Sequence, residues 1–409
     1  MRERLSEGRV LIYSHDTFGL GHLRRCRAIA HSLVEKFKGL SVLILSGSPI
    51  IGSFDFRARV DFVRIPGVIK LHNGEYTSLG LHIDLEQTLA IRASIIQHTA
   101  EIFAPDLFLV DKEPLGFRGE VVKTLERLRE RGTVTILGLR DVMDEPNLLR
   151  REWQRKQALP ALRDLYDEIW VFGLEQFGNP LSGLDVPDEV LQKMIYTGYL
   201  RRAAPNKGMV SSVEMTEPFI LVTAGGGGDG IEMVDWVLRA YEHDPSLPYS
   251  LLVVLGPFMP ASQQRAVQRR ASKLVRVQTL HFDSHIELRM QQAEGVVAMG
   301  GYNTFCEILS LNKRALLVPR SRPRKEQLIR AQKAHELGLA RMLDPAAGGH
   351  WRIMAQALHA LPSQQLPSEV MIPDMLGGLS EISERVDTWT AGRQRSTAAL
   401  AAAPAGGKP

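Results

Sequence analysis

The sequence has few cysteines and no long apolar run, and both absences narrow the class of protein. Only two of its 409 residues are cysteines, Cys26 and Cys306. Both lie in segments predicted to be helical, so buried thiols are favoured over a disulfide. No apolar run is long enough to cross a membrane, and the N-terminus leads into no signal-peptide core. We therefore expect a cytoplasmic protein.

Patterns for metal and nucleic-acid binding are also missing. The chain has no Asp-x-Asp motif and no His/Cys cluster at metal-ligand spacing, so neither a metal nor another cofactor is expected. The formal net charge of +4 suits an anionic small ligand or an anionic membrane surface. Because the basic residues are not interleaved with aromatic ones, we expect no nucleic-acid partner.

What the sequence does contain is a glycine-rich turn in each half of the chain. Each turn follows a short apolar run and precedes a helical pattern, which predicts strand, loop and helix in that order. Such a turn exposes backbone N–H groups at a helix N-terminus, where an anion is favoured. The first turn contains Gly19, Gly21 and His22, and the second contains Gly225, Gly226, Gly227 and Gly228. Two such turns indicate two domains that face one cleft and a phosphate-bearing ligand between them.

Strand and helix patterns alternate along the whole chain, which predicts an α/β protein with parallel sheets covered by helices. Strands are predicted at 9–14, 41–46, 107–110, 133–138, 168–171, 219–223, 249–254, 275–279, 295–298 and 314–318. Helices are predicted at 22–36, 85–103, 116–131, 230–242, 302–311 and 325–337.

These patterns divide the chain into two Rossmann-like domains. We predict an N-terminal domain over 1–200 and a C-terminal domain over 218–375. The stretch 201–217 contains proline, asparagine and glycine, as an interdomain linker does. A helix is predicted at 376–390. The tail 391–409 is rich in alanine, glycine and proline without periodicity, and is predicted to be disordered.

The candidate chemistry of the first half centres on His22. A histidine at a helix start, beyond the C-terminal end of the first strand, can act as a general base, although it could also only cap the helix. Arg25, on the same helix, could face either substrate or solvent. Acidic residues follow or end two further strands: Asp111, Glu113 and Asp141. Asp141 or Glu113 could orient His22 or serve as the base itself, and Asp111 could bind substrate, although all three could instead form salt bridges within loops.

A third glycine turn in the second half leads into another predicted helix. Its first residues can hold a diphosphate, and Glu307, one turn on, suits the two hydroxyls of a ribose, unless it is only a surface residue. The next helix begins with Glu326 and Gln327, which could read sugar hydroxyls or cap the helix. Phe282 is expected to border the nucleobase. The residues assigned to the diphosphate are Gly300, Gly301, Asn303 and Thr304.

Taken together, these motifs resemble GT-B glycosyltransferases, in particular the family of the bacterial enzyme that adds N-acetylglucosamine to lipid I in peptidoglycan synthesis. The resemblance spans roughly residues 9–345. It matches the family's Gly-Gly-His loop, its C-terminal glycine loop, its Ser-Gly-x-x-Thr-x-x-Glu stretch and its Gln-Gln pair. Two positions depart from it, since Gly300 replaces the serine and Glu326 the first glutamine. The implied fold is GT-B, with two Rossmann-like parallel-sheet domains facing a cleft.

The resemblance implies a metal-independent, inverting hexosyltransferase that uses a UDP-sugar, such as a UDP-N-acetylhexosamine. Its acceptor would be a glycan or lipid-linked hydroxyl in cell-envelope synthesis, with peripheral association at the inner face of the membrane. His22 would be the base, and the family places an arginine near the linker, here Arg201 or Arg202, to stabilise the diphosphate. The first motif is also similar to UDP-sugar hydrolases of pseudaminic acid synthesis. A UDP-sugar hydrolase and a non-catalytic UDP-sugar-binding protein therefore remain alternatives.

Overall fold

The computed structural model describes residues 8–15, 21–70, 75–204, 215–347 and 349–389. Nine strands lie in the first half of the chain: β1 Gly8–Ser14, β2 Leu40–Ser46, β3 Val60–Arg64, β4 Val68–Lys70, β5 Tyr76–Ser78, β6 Leu107–Asp111, β7 Val134–Arg140, β8 Glu168–Phe172 and β9 Met194–Tyr196. Six lie in the second half: β10 Phe219–Thr223, β11 Ser250–Val254, β12 Val277–Leu280, β13 Gly295–Ala298, β14 Ala315–Leu317 and β15 Arg341–Met342.

Helices connect most of these strands. In the first half they are α1 Gly21–Lys36, α2 Leu85–Phe103, α3 Val122–Glu130, α4 Pro146–Lys156, α5 Ala158–Asp164 and α6 Asp188–Leu191. In the second half they are α7 Ile231–His243, α8 Ala261–Ala271, α9 Ile286–Gln292, α10 Tyr302–Ser310, α11 Glu326–Glu336, α12 Trp351–Ala360 and α13 Pro367–Val370, followed by helical residues 378–389. Short 3₁₀ turns lie at Ile51–Ser53, Phe117–Gly119, Glu175–Phe177, Pro345–Ala347 and Leu361–Ser363.

The strands form two parallel sheets, one in each half. The first has the order β3-β2-β1-β6-β7-β8-β9 and the second β12-β11-β10-β13-β14-β15, while β4 and β5 form a separate antiparallel pair. Central strands such as β6 and β10 are buried along their whole length, as expected where helices cover both faces of a parallel sheet. This is the predicted α/β architecture with two Rossmann-like domains.

One predicted helix is wrong in its extent. The pattern predicts a helix over 116–131, but the structure has a 3₁₀ turn at Phe117–Gly119 and then the shorter α3. Gly116, Arg118 and Gly119 all have positive φ values, of 66°, 51° and 88°. A right-handed helix cannot pass through such residues, so it begins only after them.

The end of the described chain crosses back to the first sheet. The backbone N–H of Tyr199 donates to the carbonyl of Met375 at 2.7 Å, where the chain enters the last helical segment. Within that segment Ile382 and Val386 are buried, and Arg385 forms an ion pair with Glu168 of β8. The two halves are therefore joined by two crossings. The predicted linker falls mostly, and the predicted tail entirely, outside the described residues.

Candidate active site

A cleft of about 1280 Å³ lies between the two domains. Its walls are formed by loops and helix starts that follow the C-terminal ends of strands in both sheets, where open α/β folds bind ligands. Six predicted site residues of the first half bear on it. Gly21, His22, Arg25 and Glu113 line the cleft, Asp111 and Asp141 lie behind its surface, and Gly19 falls outside the described residues.

His22 is held by an aspartate at the end of β6. Its Nδ1 atom lies 2.5 Å from Oδ2 of Asp111. Arg25, one turn along α1, donates to both oxygens of the same carboxylate at 2.7 Å. The Asp111 side chain is 2% exposed and that of His22 17%. The imidazole is therefore fixed from behind and open to the cleft in front.

The charges around His22 set its protonation. Burial lowers the pKa of His22 below its ordinary 6.5, although Asp111 acts in the opposite direction. Burial would raise the pKa of Asp111, but Arg25 and His22 outweigh it and hold that pKa well below its usual range. Near pH 7 a neutral imidazole thus faces an ionised carboxylate. The proton sits on Nδ1, and Nε2 is the basic nitrogen.

This geometry corrects the predicted partner of His22. Asp141 is fully buried and accepts hydrogen bonds from Arg330, at 2.5 and 2.7 Å, and from Tyr199 at 2.8 Å. Glu113 pairs with Lys156 at 2.7 Å and with Lys112 at 3.2 Å. The carboxylate expected to bind substrate, Asp111, is the one that orients the histidine.

A second histidine stands beside the first and escaped the sequence reasoning. His15 follows β1 and lines the cleft, and its ring centroid lies 5.6 Å from that of His22 in an edge-on arrangement. Burial lowers the pKa of His15 well below its ordinary value. Its position directly after the first strand indicates a residue at the cleft edge, but the prediction relied on the glycine motif that follows.

The glycine loop after β10 forms the opposite wall, and Gly225 to Gly228 all line the cleft. Gly227 has φ 90°, and a Cβ atom there would lie 2.5 Å from the carbonyl oxygen of Leu255. Gly226 accepts a hydrogen bond from the N–H of Phe258 at 2.9 Å. The loop is thus packed against the start of the next crossover, where only glycine fits.

The first residues of α10 border the same space. Gly301, Asn303 and Thr304 line the cleft, and Gly301 caps the helix without a side-chain hydrogen bond, so the first helical N–H groups remain available to a ligand. Gly300, with φ 78°, lies behind them and its carbonyl accepts from Arg330 at 3.0 Å. This arrangement suits a diphosphate.

Other predicted donor residues divide into two groups. Phe282, Glu326 and Gln327 line the cleft, and Glu326 is paired with Arg320 at 2.8 Å. Glu307 is 1% exposed and lies behind the surface, where Arg24 of α1 approaches its carboxylate at 2.7 Å. A ribose would reach Glu307 only if Arg24 moved.

The arginines predicted near the linker are not at the cleft surface. Arg201 is exposed, whereas Arg202 is buried and donates to Asn303 at 2.7 Å and to the carbonyl of Arg24 at 3.1 Å. Arg202 thus joins the domains from behind. Besides Arg24 and Arg25, eight cations in the part of the chain that the structure describes line the cleft. Two lie beside the acidic residues predicted to face it, Lys112 and Arg140, and no motif indicated the other six: Arg118, Arg151, Arg155, Lys156, Arg320 and Arg324.

Within the described ranges, no three His, Cys, Asp or Glu side chains come together as a metal site would require. The same ranges hold no helix of the length and apolarity that a membrane span needs.

Comparison with known proteins identifies the second half of the chain. Residues 220–369 match the glycosyltransferase family 28 C-terminal domain. A sequence search of curated proteins finds no significant match.

The whole fold matches solved structures. MurG from Acinetobacter baumannii aligns with a TM-score of 0.58 at 12% identity, over 93% of this chain and 99% of that one. A calicheamicin glycosyltransferase aligns with a TM-score of 0.58 at 13% identity, over 95% of this chain and 99% of that one. A UDP-GlcNAc 2-epimerase from Neisseria meningitidis, solved with UDP-GlcNAc, aligns at 0.58 and 13%, over 93% and 100%. The fold is therefore GT-B, and the domain match supports a glycosyltransferase.

Proposed function

We propose that this chain, with its family 28 domain at 220–369, transfers a sugar from a UDP-sugar to an acceptor hydroxyl with inversion and without a metal. The GT-B fold alone does not decide this, because an epimerase shares it. The observation that carries the proposal is the His22–Asp111 pair, which faces the glycine loop and the α10 start across one cleft.

Each half of the cleft has a role in the reaction. Nε2 of His22 accepts the proton of the acceptor hydroxyl, whose oxygen then attacks the anomeric carbon from the face opposite the diphosphate. The bond between that carbon and the phosphate oxygen breaks, and UDP leaves with the electron pair. Asp111 keeps the proton on Nδ1 and stabilises the imidazolium that forms, as a buried carboxylate does beside a catalytic histidine.

The leaving diphosphate would be stabilised by backbone N–H groups and a basic side chain rather than by a metal ion. The start of α10 and the glycine loop containing Gly227 line the same cleft, and Arg320 lines it too. Preorganised donors of this kind stabilise developing charge. Glu326 and Gln327, at the start of α11, would read the sugar hydroxyls.

The test is a panel of UDP-sugars, including UDP-N-acetylhexosamines, incubated with and without glycan acceptors and with EDTA. We expect faster UDP release with one acceptor, a product of inverted anomeric configuration, and full activity in EDTA. Sugar release by water at the rate seen with the best acceptor would instead indicate a hydrolase. Binding without turnover of any donor would indicate a non-catalytic sugar-nucleotide-binding protein. Loss of activity in EDTA that magnesium restores would contradict the metal-independent mechanism.

We further propose a glycan or lipid-linked acceptor, with peripheral association at an anionic cytoplasmic membrane face. The net charge of +4 favours such a surface. Liposome flotation tests this, and we expect the protein to rise with anionic but not with neutral vesicles. Activity on a soluble acceptor without any vesicle association would contradict it.

A further inference from the structure

Four of the cations that line the cleft are paired with neighbouring carboxylates. Lys112 and Lys156 pair with Glu113, and Lys156 also with Glu152. On the other wall, two arginines have partners too: Arg320 pairs with Asp229 and Glu326, and Arg324 with Glu152. These carboxylates offset the charge of the four cations, which is therefore less available to an anionic ligand.

Arg140 differs from these four, because no carboxylate among the described residues lies within ion-pair distance of it, although the charge of Glu326 attracts it. It ends β7, is partly buried and lines the cleft. Its side chain forms no hydrogen bond or ion pair with any residue in the described part of the chain, and its Nε atom is buried without an acceptor. An unpaired buried guanidinium costs free energy, so a residue of this kind needs an explanation.

Packing does not explain Arg140. Its neighbour Asp141 makes the structural contacts at this strand end, with Arg330 and Tyr199. Burial, together with the nearby Arg25, Arg330 and Arg324, lowers the pKa of Arg140 to about 10, although Glu326 acts in the opposite direction. The protein thus places a cation among cations. An anion bound in the cleft would compensate this charge.

The neighbours of Arg140 locate that anion at the reaction centre. Arg25 belongs to the group that holds His22, and Glu326 belongs to the start of α11 on the opposite wall. Arg140 lines the same cleft as the proposed base and the proposed sugar-reading residues, and the charges of Arg25 and Glu326 act on it. A guanidinium presents a planar fork that matches two oxygens of a carboxylate or phosphate.

We propose that Arg140 binds an oxyanion, a carboxylate or phosphate group of the substrate, close to the bond that is transferred. This inference rests on the proposed function for the location of the donor. The oxyanion has three sources in that setting: a carboxylate on the donor sugar, the donor diphosphate, or an anionic group on the acceptor.

Calorimetric titrations of the full chain test the assignment and separate these sources. The titrants are UDP, UDP-glucose, UDP-glucuronate and inorganic phosphate, the last both with and without saturating UDP. Arg140→Gln is compared with wild type and with Arg341→Gln, which removes the same charge from an exposed position on β15. We expect Arg140→Gln to weaken at least one titrant tenfold or more, and Arg341→Gln to change none of them beyond twofold.

The pattern of loss identifies the source. Weakening confined to UDP-glucuronate assigns a carboxylate on the donor sugar, and equal weakening of UDP and both UDP-sugars assigns the diphosphate. Loss of phosphate binding to the UDP-saturated protein assigns an acceptor anion. The phosphate arm without UDP needs no donor site, so it still tests Arg140 if wild type binds no UDP-sugar, a result that would sink the proposed function instead.

Thermal unfolding excludes a purely structural role. Because Arg140 is unpaired, Arg140→Gln should keep or raise the Tm while binding is lost, the usual relation at a functional site. Arg140→Lys, which keeps the charge without the fork, should retain part of the affinity. Unchanged titrations in Arg140→Gln overturn the proposal, whatever the Tm. If Arg140→Gln does not fold, the assignment stands only if Arg140→Lys is folded and binds at least threefold more weakly than wild type.

Discussion

A histidine whose Nδ1 is held by a carboxylate has one nitrogen left for chemistry. In this protein that nitrogen belongs to His22, and the carboxylate of Asp111 is itself fixed by Arg25. The residue scale therefore makes the sharpest demands on the proposed mechanism. Two predictions follow from the pair, one for the rate and one for its dependence on pH.

Replacing His22 with alanine should lower kcat by about 10²- to 10⁴-fold, the usual loss when a general base is removed. UDP affinity should stay within about twofold of wild type, because the proposed nucleotide site lies on the other wall. His31→Ala is the matched control, since His31 lies on the same helix and contacts the backbone of Arg57 instead. Steady-state kinetics and calorimetry measure both quantities. Equal losses of kcat and UDP affinity would make His22 a phosphate ligand instead.

The pH profile should show a base with a lowered pKa. Burial lowers the pKa of His22 below 6.5, so the acid limb of kcat/KM should have its midpoint below pH 6.5. Asp111 acts against that lowering, so Asp111→Asn should move the acid limb to still lower pH and reduce the plateau. Asp141→Asn should leave the limb in place, because Asp141 bonds Arg330 and Tyr199.

Both aspartates are buried partners of an arginine, so each variant should lose about 3–5 kcal/mol of stability. The profiles are therefore measured below both unfolding transitions. A limb that moves in Asp141→Asn and not in Asp111→Asn would reinstate the partner that the sequence suggested.

The sequence predicted His22 as a site residue but not its partner, and the sheet order explains why. Asp111 ends β6, which lies directly beside β1 in the sheet, whereas Asp141 follows β7, one strand further away. A strand pattern indicates that a side chain comes to the cleft edge, but not which strands are adjacent. The same limit applies to Arg140: the strand pattern brings it to the cleft edge, but its lack of an ion-pair partner depends on contacts across the chain.

At the scale of elements, the glycine loop after β10 combines two constraints that can be separated. Gly225 has φ 62°, and a Cβ atom added there would meet open space. Gly227 has φ 90°, and a Cβ atom added there would lie 2.5 Å from the carbonyl oxygen of Leu255. Gly225→Ala should therefore cost about 1–2 kcal/mol, the cost of a left-handed alanine. Gly227→Ala should cost more and weaken UDP binding, because the loop must move. Chemical denaturation and calorimetry compare the two, and equal costs would contradict the clash.

Periodic elements were predicted well, and irregular ones were not. The helix over 85–103 and the strands at 219–223 and 295–298 have the predicted bounds. Their apolar patterns are complete, because these elements are buried against the core. The split before α3 depends on positive φ at Arg118, a non-glycine residue, which no apolar pattern reveals. Short edge strands such as β3 and β9 were also missed.

At the scale of the whole molecule, Arg24 ties the two domains together. It reaches Glu287 and Glu307 of the other domain, each at 2.7 Å. Burial raises the pKa of Glu307 to about 7, although Arg24 opposes it. For Glu287, burial acts in the same direction, but Arg24 outweighs it and the pKa is lowered. The two carboxylates should therefore affect stability with opposite dependence on pH.

A raised folded-state pKa gives stability that is present below the unfolded pKa and lost as pH rises through about 7. As the pH rises from 5 to 8, the free energy of unfolding of Glu307→Gln should therefore increase relative to that of wild type by about 1–3 kcal/mol. Glu287 has a lowered pKa, so its stabilisation is present at neutral pH, and Glu287→Gln should lose stability there. Denaturation at both pH values measures the differences. If both variants gained or both lost stability relative to wild type at neutral pH, the opposite pKa shifts of Glu307 and Glu287 would be contradicted.

The contacts between α1 and α10 have a consequence for hybrid enzymes. Asn303 donates to the carbonyl of Gly21 at 2.8 Å and accepts from Arg202 at 2.7 Å, so the first turn of α1, which carries the proposed base, is bonded to the helix start proposed to hold the donor. Exchanging whole C-terminal domains between relatives to alter donor choice would break every one of these bonds at once. A working chimera of this scaffold would have to inherit α1 and α10 from the same parent, even though they lie in opposite halves of the gene.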